Sequence, residues 1–175
     1  MMTPRKKNAK PLAYEQALQR LAALCSQSEH SSAEARRKAL SWGLSDAEAD
    51  KLVDYLIDEQ YIDDARYCRA FAHDKLRYNH WGRFKIGQML HLQGLAQEDI
   101  RNALSSIDEE EYEKIITDVL QAKARQLGKE EPYARRIKLM RHAAGKGFEK
   151  GVIMDALAQM GDFGDEECDF FETDG

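Results

Sequence analysis

Residues 90–104 read LHLQGLAQEDIRNAL, and this stretch decides the fold. An apolar residue stands four positions before Gly94, and another follows the glycine directly. Further apolar residues lie six, nine and ten positions after it, which is the spacing of one helix face. The same pattern surrounds Gly43 and Gly147, which lie 51 residues before Gly94 and 53 residues after it. The sequence therefore encodes three copies of one unit of roughly 50 residues.

Each copy predicts two helices joined by a turn that ends in glycine. A glycine closes a helix in the left-handed region at low cost, and the apolar residue after it packs back on that helix. An earlier helix, marked by Tyr14, Tyr67 or Tyr112, precedes each pair. The predicted fold is all-α, with three tandem three-helix (helix-turn-helix-like) repeats. Because so small a unit buries a meagre core, we expect the repeats to stack into an elongated and curved body, with a single globular bundle as the alternative.

Capping residues support the predicted helix starts. Ser31, Ser45 and Asp63 stand where a side chain accepts the first free backbone N–H groups, and Glu48 completes a capping box with Ser45. Pro132 is typical of a first helical turn. The predicted helices cover residues 12–25, 32–42, 46–59, 63–78, 83–93, 97–106, 109–127, 133–144 and 149–160. The predicted domains are a basic disordered N-terminus at 1–10, repeats at 11–62, 63–107 and 108–161, and an acidic disordered tail at 162–175.

Composition and spacing argue against several classes of protein. No apolar run reaches the roughly 18 residues of a membrane span, and no signal-peptide core follows the basic first ten residues, so the expected location is the cytoplasm. The three cysteines and five histidines are scattered, which predicts reduced thiols and neither a metal site nor a cofactor. No nucleophile–base pair or phosphate-binding glycine loop is present, so we expect no enzymatic activity.

The net charge of −5 is an average over segments of opposite sign. Residues 65–101 hold seven bases and three acids, and residues 121–150 hold nine bases and three acids. Segments 14–64 and 102–120 are acidic instead. Two basic blocks in an acidic chain favour anionic partners, although a fully solvated helical surface is an equal alternative.

Three stretches of the sequence resemble one family. Residues 61–67, YIDDARY, are similar to the RecX signature of an aromatic residue, an aliphatic residue, two aspartates, any residue, an arginine and a second aromatic residue. Downstream, Gly82, Ile86, Leu90 and Gly94 resemble the four-residue spacing of the same family. Upstream, residues 31–38, SSAEARRK, resemble its serine-led basic helix. The resemblance runs from about residue 13 to residue 160.

The resemblance implies a regulatory protein that acts on the RecA recombinase. RecX-like proteins are built of tandem three-helix repeats and lie along the groove of the RecA filament on single-stranded DNA. The implied action is inhibition of filament extension, ATPase, strand exchange and co-protease activity, by filament capping, groove binding or both. Such a chain would be a monomer, with RecA and single-stranded DNA as partners and no membrane. The alternative is a helical-repeat module that binds DNA directly, without RecA.

Basic residues of all three repeats are the candidates for contact with phosphate or with acidic RecA surface. They are Arg36, Arg37, Lys38, Arg66, Arg69, Lys75, Arg77, Arg83, Lys85, Arg135, Arg136, Lys138 and Arg141. Ion pairs with nearby acids on a solvated surface are the alternative for each of them. A second set carries the family signature and is interpreted as structural: Tyr61, Asp63, Asp64, Arg66, Tyr67, Gly82 and Gly94.

Aromatic residues and the acidic tail allow two interpretations each. Tyr78, Trp81 and Phe84 lie among bases, so they can stack on exposed nucleotides, but we favour packing at a helix junction. Tyr61 and Tyr67 are expected to pack as well, and Trp42 to pin a repeat junction. The tail holds seven acids and no base. It is either a solubilising end or a segment that folds back on a basic block and competes with DNA.

Overall fold

A computed structural model describes residues 11–161, and every regular element in that range is an α-helix. The helices are α1 (Tyr14–Gln27), α2 (Ser32–Ser41), α3 (Asp46–Asp58), α4 (Asp64–Asn79), α5 (Arg83–Leu92), α6 (Gln97–Ser105), α7 (Glu109–Leu127), α8 (Pro132–Gly145) and α9 (Lys150–Gln159). Each predicted helix is present, and its ends lie within two residues of the prediction. The repeat boundaries and the elongated, curved body stay predictions.

The predicted caps form where the sequence places them. The Ser31 hydroxyl accepts the N–H of Glu34 at 3.2 Å and so begins α2. At the start of α3, the Ser45 N–H donates to the Glu48 carboxylate at 2.9 Å, while the Glu48 N–H donates to the Ser45 hydroxyl at 3.3 Å. The Glu131 carboxylate accepts two N–H groups of the first turn of α8. These helix starts are therefore fixed by local hydrogen bonds that the sequence makes visible.

The three aligned glycines end α2, α5 and α8 in the left-handed region. Their φ angles are +96° at Gly43, +86° at Gly94 and +89° at Gly147. In the first turn, the N–H of Gly43 donates to the Leu40 carbonyl and the next N–H donates to that of Ala39. The apolar residue after each glycine is buried, as predicted: Leu44, Leu95 and Phe148.

The described part of the chain divides into two compact units, and unit 1 comprises residues 11–67 and 93–95. Helix α3 packs on both α1 and α2 in this unit. Its apolar core is formed by Ala17, Leu21, Ala35, Ala39, Leu44, Ala49, Leu52, Val53, Leu56 and Ile62. Trp42 is partly buried against this core, and the Arg20 guanidinium lies 5.8 Å from the centre of its ring. The core positions are the apolar ones of the helical pattern in the sequence.

Among the described residues, unit 2 comprises 68–92 and 96–161, so α4 contributes its first turn to unit 1 and its remainder to unit 2. In unit 2, α5 packs on α6, and α7 packs on α8 and α9. Cys68 is buried in α4 and Cys25 is half-buried in unit 1, and neither forms a disulfide within the described residues. Burial, followed by the nearby carboxylates of Glu34 and Glu29, raises the pKa of the Cys25 thiol. Cys168 and the predicted acidic tail lie outside the described residues.

Candidate functional site

The two aspartates of the YIDDARY stretch both act at helix starts in unit 1. The Asp63 carboxylate accepts the N–H of Arg66 at 2.9 Å and caps α4, as predicted. Asp64 accepts the Ser32 N–H at 2.7 Å and the Ser32 hydroxyl at 2.5 Å. Its carboxylate therefore lies at the N-terminal end of α2, where the helix dipole favours negative charge. This second contact joins residues 32 positions apart and is not readable from the sequence.

The arginine and the second tyrosine of the same stretch also bond within unit 1. The Arg66 guanidinium donates to the Glu29 carboxylate at 2.6 Å, and this hydrogen bond raises the pKa of Arg66. The Tyr67 hydroxyl donates to the side-chain oxygen of Gln93 at 2.9 Å. Tyr61 differs from the expectation, because its side chain is 37% exposed. Ile62 fills the core in its place, with its N–H bonded to the Leu56 carbonyl at 3.1 Å.

Several of the candidate binding residues form ion pairs with acids of their own unit. Each of these pairs has an N···O distance of 2.6 to 2.8 Å: Arg36 with Asp46 and Asp50, Arg66 with Glu29, Arg77 with Glu111, Arg83 with Glu109, and Lys138 with Glu130. The Arg77 and Arg83 pairs are bidentate. For these residues the structure realises the alternative in which the base pairs with a nearby acid. A partner must displace the acid to reach them.

The basic cluster of α8 is only partly on the surface. Arg136 is 9% exposed and counts among the buried residues, so its guanidinium is not offered to a partner. Arg135 donates to the Gly128 carbonyl at 2.8 Å and is half-buried. Lys138 and Arg141 are exposed. Fewer of the four basic candidates of α8 are therefore exposed than their positions in the sequence indicate.

Two lysines of unit 2 rest on an aromatic ring instead of an acid. The ammonium groups of Lys75 and Lys85 lie 5.3 Å and 4.6 Å from the centre of the Trp81 ring. Within residues 11–161, neither lysine forms an ion pair, and the same holds for Arg37, Lys38 and Arg69. Cation–π contacts hold a lysine in place without neutralising its charge.

Two further aromatic residues of this region are on the surface. Tyr78, in the last turn of α4, is 79% exposed, and Phe84, in the first turn of α5, is 70% exposed. The packing that we favoured for them is therefore wrong, whereas Trp81 is half-buried. Tyr78 lies three residues after Lys75 in α4, and Phe84 directly precedes Lys85 in α5. We term these residues, together with Trp81, the aromatic–lysine patch. Exposed large aromatics beside unpaired bases are typical of an interaction surface.

Backbone hydrogen bonds hold the turn that carries this patch. His80 ends α4 with a φ of +53°, and its N–H donates to the Leu76 carbonyl at 3.1 Å. The Trp81 N–H donates to the Lys75 carbonyl at 3.1 Å, which places Trp81 as the apolar residue after a helix end. Farther along the turn, the Gly82 N–H donates to the Lys146 carbonyl at 2.8 Å, and the Phe84 N–H donates to the Gly147 carbonyl at 3.1 Å.

Gly82 and Gly147 approach each other closely in unit 2. A Cβ atom on Gly82 would overlap the backbone of Gly147 and the nitrogen of Phe148, and one on Gly147 would overlap the backbone of Lys85. Gly82 was identified from the family spacing and Gly147 from the helix-end pattern. Their pairing carries no signal in a single sequence, because 65 residues separate them.

A buried tyrosine lies beside this glycine contact. Tyr112 of α7 accepts the N–H of Arg83 at 2.9 Å and donates to the Glu149 carboxylate at 2.5 Å. The Arg83 guanidinium lies 4.1 Å from the centre of its ring, and the Phe148 ring lies 5.3 Å away. Burial, followed by the bond to Glu149, raises the pKa of the phenol well above its usual range. The sequence analysis uses Tyr112 only to locate the first helix of the third repeat, and it does not predict these contacts with Arg83, Phe148 and Glu149.

Two kinds of functional centre are absent from the described residues. No group of three or more His, Cys, Asp or Glu residues within 11–161 could hold a metal ion. None of the helices in this range combines the length and apolar character that crossing a bilayer requires. Because Tyr78, Phe84 and several bases face solvent, we take the aromatic–lysine patch and the exposed bases as the candidate functional surface.

Comparisons with known proteins all point to one family of regulatory proteins. The family domain described as "RecX, second three-helix domain" matches residues 63–104, and "RecX, third three-helix domain" matches residues 109–157. The chain is 32% identical over 111 residues to a protein named regulatory protein RecX from Clostridium botulinum (strain Eklund 17B / Type B), covering 62% of this chain and 51% of that protein. A protein of the same name from Ralstonia pickettii (strain 12J) is 27% identical over 150 residues, covering 80% and 89%. The clostridial matches span about half the length of those relatives.

Solved structures show the same fold. A crystal structure of regulatory protein RecX superposes with a TM-score of 0.75 at 19% identity, covering 83% of this chain and 71% of the other. A crystal structure of RecX from Lactobacillus salivarius gives a TM-score of 0.78 at 15% identity, covering 86% and 97%. The tandem three-helix fold is thus confirmed, and together with the two matched domains it shows that this chain belongs to the RecX family of regulatory proteins.

Proposed function

We propose that this chain regulates the RecA recombinase and has no enzymatic activity of its own. It binds the filament that RecA forms on single-stranded DNA, in the helical groove, and restrains filament extension, ATP hydrolysis, strand exchange and co-protease activity. The chain acts as a monomer in the cytoplasm. Membership of the RecX family is the observation that carries the proposal.

Tandem repeats and unpaired bases support this function physically. Repeated modules let several weak contacts act together. Once the first module is bound, the second binds at a high effective concentration, so the whole chain binds tightly although each contact is weak. Contacts between bases and phosphates or acidic protein give an affinity that falls with salt. A regulator of this kind needs surface and reach but no catalytic pocket.

We rank the expected contribution of each basic residue to binding by whether an acid of this chain already pairs with it. Arg37 and Arg69 are exposed, and Lys75 and Lys85 of the patch are half-buried. None of these four bases forms an ion pair among residues 11–161. They contribute most. Lys38 is half-buried and Arg141 exposed, and they add to the same field. The paired residues Arg36, Arg66, Arg77, Arg83 and Lys138 contribute less, since ion pairing must be broken first.

The test is titration of the chain into RecA-coated single-stranded DNA while ATP hydrolysis is followed. The proposal predicts inhibition that saturates and weakens as salt rises. Arg69→Glu should raise the half-inhibiting concentration several-fold, whereas Lys114→Glu, an exposed base of the same unit outside the candidate set, should leave it unchanged. An unaltered rate of hydrolysis at saturating chain would overturn the proposed function.

A direct DNA-binding module that acts without RecA is the second candidate, and the aromatic–lysine patch favours it. Gel-shift binding to naked single strands as tight as to RecA filaments would support this candidate. Binding that requires RecA would support the first.

A further inference from the structure

The aromatic–lysine patch combines two kinds of side chain that the fold does not use for its own core. Tyr78 and Phe84 are the most exposed aromatic side chains among residues 11–161. The apolar faces of these exposed rings are in contact with water, and stacking on a partner would bury them. Every nucleobase has a π-face that can stack on such a ring. Lys75 and Lys85 lie over the ring of Trp81, which stands between Tyr78 and Phe84 in the chain, and neither forms an ion pair with a described acid.

The lysines of the patch are held in place yet remain able to donate. Each ammonium carries three N–H donors, and its contact with the Trp81 ring occupies the ring face rather than an acceptor. Lys75 also lies 5.3 Å from the centre of the Phe71 ring. The two side chains are therefore kept close to the turn, with donors left for an anionic oxygen. Trp81 is a positioning residue in this arrangement, because it acts through the two lysines.

Local charge favours an anion at this place. Between residues 65 and 97, Asp74 is the single acidic residue, against six bases. Three acids near Arg77, Arg83 and Tyr112 are already engaged: Glu111 pairs with Arg77, Glu109 pairs with Arg83, and Glu149, which directly precedes α9, accepts from Tyr112. The charges of Lys75 and Lys85 are therefore in excess. A negatively charged ligand is complementary to them.

The turn is also held by its own hydrogen bonds. The backbone bonds of Trp81, Gly82 and Phe84 described above fix the positions from which two of the three rings project. A binding surface that is already ordered loses less entropy when a ligand arrives. Single-stranded nucleic acid supplies both chemistries that the patch would satisfy, since its bases stack on aromatic rings and its phosphates pair with lysines.

We propose that the aromatic–lysine patch binds single-stranded DNA directly, with Tyr78 and Phe84 stacking on unstacked bases and Lys75 and Lys85 contacting the phosphates between them. The patch accepts bases without regard to sequence, because stacking requires only a π-face. A role for this site within the RecA filament rests on the function proposed above. The test therefore uses DNA without RecA, so that the two proposals fail separately.

The first measurement is fluorescence anisotropy of a labelled oligothymidylate of roughly 16 nucleotides, titrated with the full chain. Tyr78→Ala and Phe84→Ala should each weaken binding about tenfold, since base–aromatic stacking is worth on the order of that factor per ring. Lys75→Gln with Lys85→Gln should lower the slope of log K against log salt by about 1.4, because each phosphate contact on a single strand accounts for roughly 0.7. Tyr55→Ala is the matched control, since Tyr55 is a 45% exposed aromatic of unit 1 flanked by Asp54 and Asp58.

The second measurement uses tryptophan emission. Only Trp42 and Trp81 are present, so Trp42→Phe leaves Trp81 as the single reporter within the patch. Emission should be quenched by the oligonucleotide and saturate at the concentration given by anisotropy. In the anisotropy assay, Trp81→Phe should retain most of the affinity that Trp81→Ala loses, as expected of a positioning residue.

Three outcomes would overturn the proposal. The first is a Tyr78→Ala and Phe84→Ala double variant, with unchanged circular dichroism, that binds oligothymidylate as tightly as the parent. The second is Trp81 emission that is unaffected at saturation. The third is a double variant that loses affinity only for DNA-free RecA, which would make the patch a protein-docking surface. Oligonucleotide binding without any effect on RecA ATP hydrolysis would sustain this proposal and reject the function proposed above.

Discussion

The two ends of α4 use similar residues for different purposes. At its start, in unit 1, Asp64 bonds to Ser32 and Arg66 bonds to Glu29, so these charged groups of the family signature find their partners inside the unit. At its end, in unit 2, Tyr78 faces solvent, and Lys75 rests on a ring instead of an acid. The recognisable motif therefore marks architecture, and the surface available to a partner lies where the motif has ended.

The supply of acids explains this difference. Glu29 pairs with Arg66 in the first turn of α4, whereas Glu111 and Glu109 pair with Arg77 and Arg83, and no described acid forms an ion pair with Lys75. A base that lacks an acidic neighbour keeps its full charge for an external partner. Sequence composition counts both kinds of base alike, and only the fold separates them.

The largest expected effect comes from the glycine contact beside the C-terminal end of α4. Gly82→Ala places a methyl group on the backbone of Gly147 and should destabilise unit 2 by about 3 kcal/mol, because backbone cannot move aside as a side chain does. Urea unfolding measures this change. Gly151→Ala in α9 is the control, since a Cβ there meets nothing within 4 Å, and it should stabilise by about 0.5 to 1 kcal/mol. Equal stability of the two variants would contradict the close approach.

A smaller effect is expected at the N-terminal end of the helix. Asp64→Ala removes the acceptor of the Ser32 N–H and hydroxyl, and should cost unit 1 about 2 kcal/mol, since hydrogen bonds to a charged group are lost. Thermal unfolding followed by circular dichroism measures it. Asp54→Ala, on the exposed side of α3, should change stability little. If the Asp64 and Asp54 variants unfold alike, the signature does not serve the structural role described for it.

The smallest effect is the pH dependence of the surface ion pairs of unit 2. Hydrogen bonds from Arg83 and Arg77 lower the pKa values of Glu109 and Glu111 from the reference value of 4.5. A lowered folded pKa means that the stability contribution is complete above pH 4.5 and is lost as the pH falls through the folded pKa. Unfolding measured between about pH 3 and pH 6 should show this loss in the parent chain. Arg77→Gln should reduce it, and an unchanged pH profile would assign the dependence to other carboxylates.

The helices could be predicted from the sequence because their determinants are local. Ser45 and Glu48 lie three residues apart, and each turn glycine is followed at once by its buried apolar residue. The surface could not be predicted in the same way. Arg77 meets Glu111 across 34 residues, so no periodicity shows that its charge is matched.

The exposed aromatics illustrate the same limit. Helix α5 is apolar on two sides, with Ile86 and Leu90 buried but Phe84 and Leu92 exposed. Helical spacing alone cannot tell which side faces the core when both are apolar. The exposure of Phe84 therefore emerged only with the structure, and with it the interpretation of the patch.

The backbone contact between Gly82 and Gly147 sets how the molecule can be divided. Each copy of the sequence repeat is a single three-helix unit. The N–H groups of Gly82 and Phe84 in the second matched domain nevertheless donate to the carbonyls of Lys146 and Gly147 in the third. Excision of residues 63–107 as a separate peptide would leave those donors without protein acceptors and expose the surface that they cover. A segment that keeps these hydrogen bonds must include both matched three-helix domains, residues 63–104 and 109–157, and we expect the two domains to unfold together.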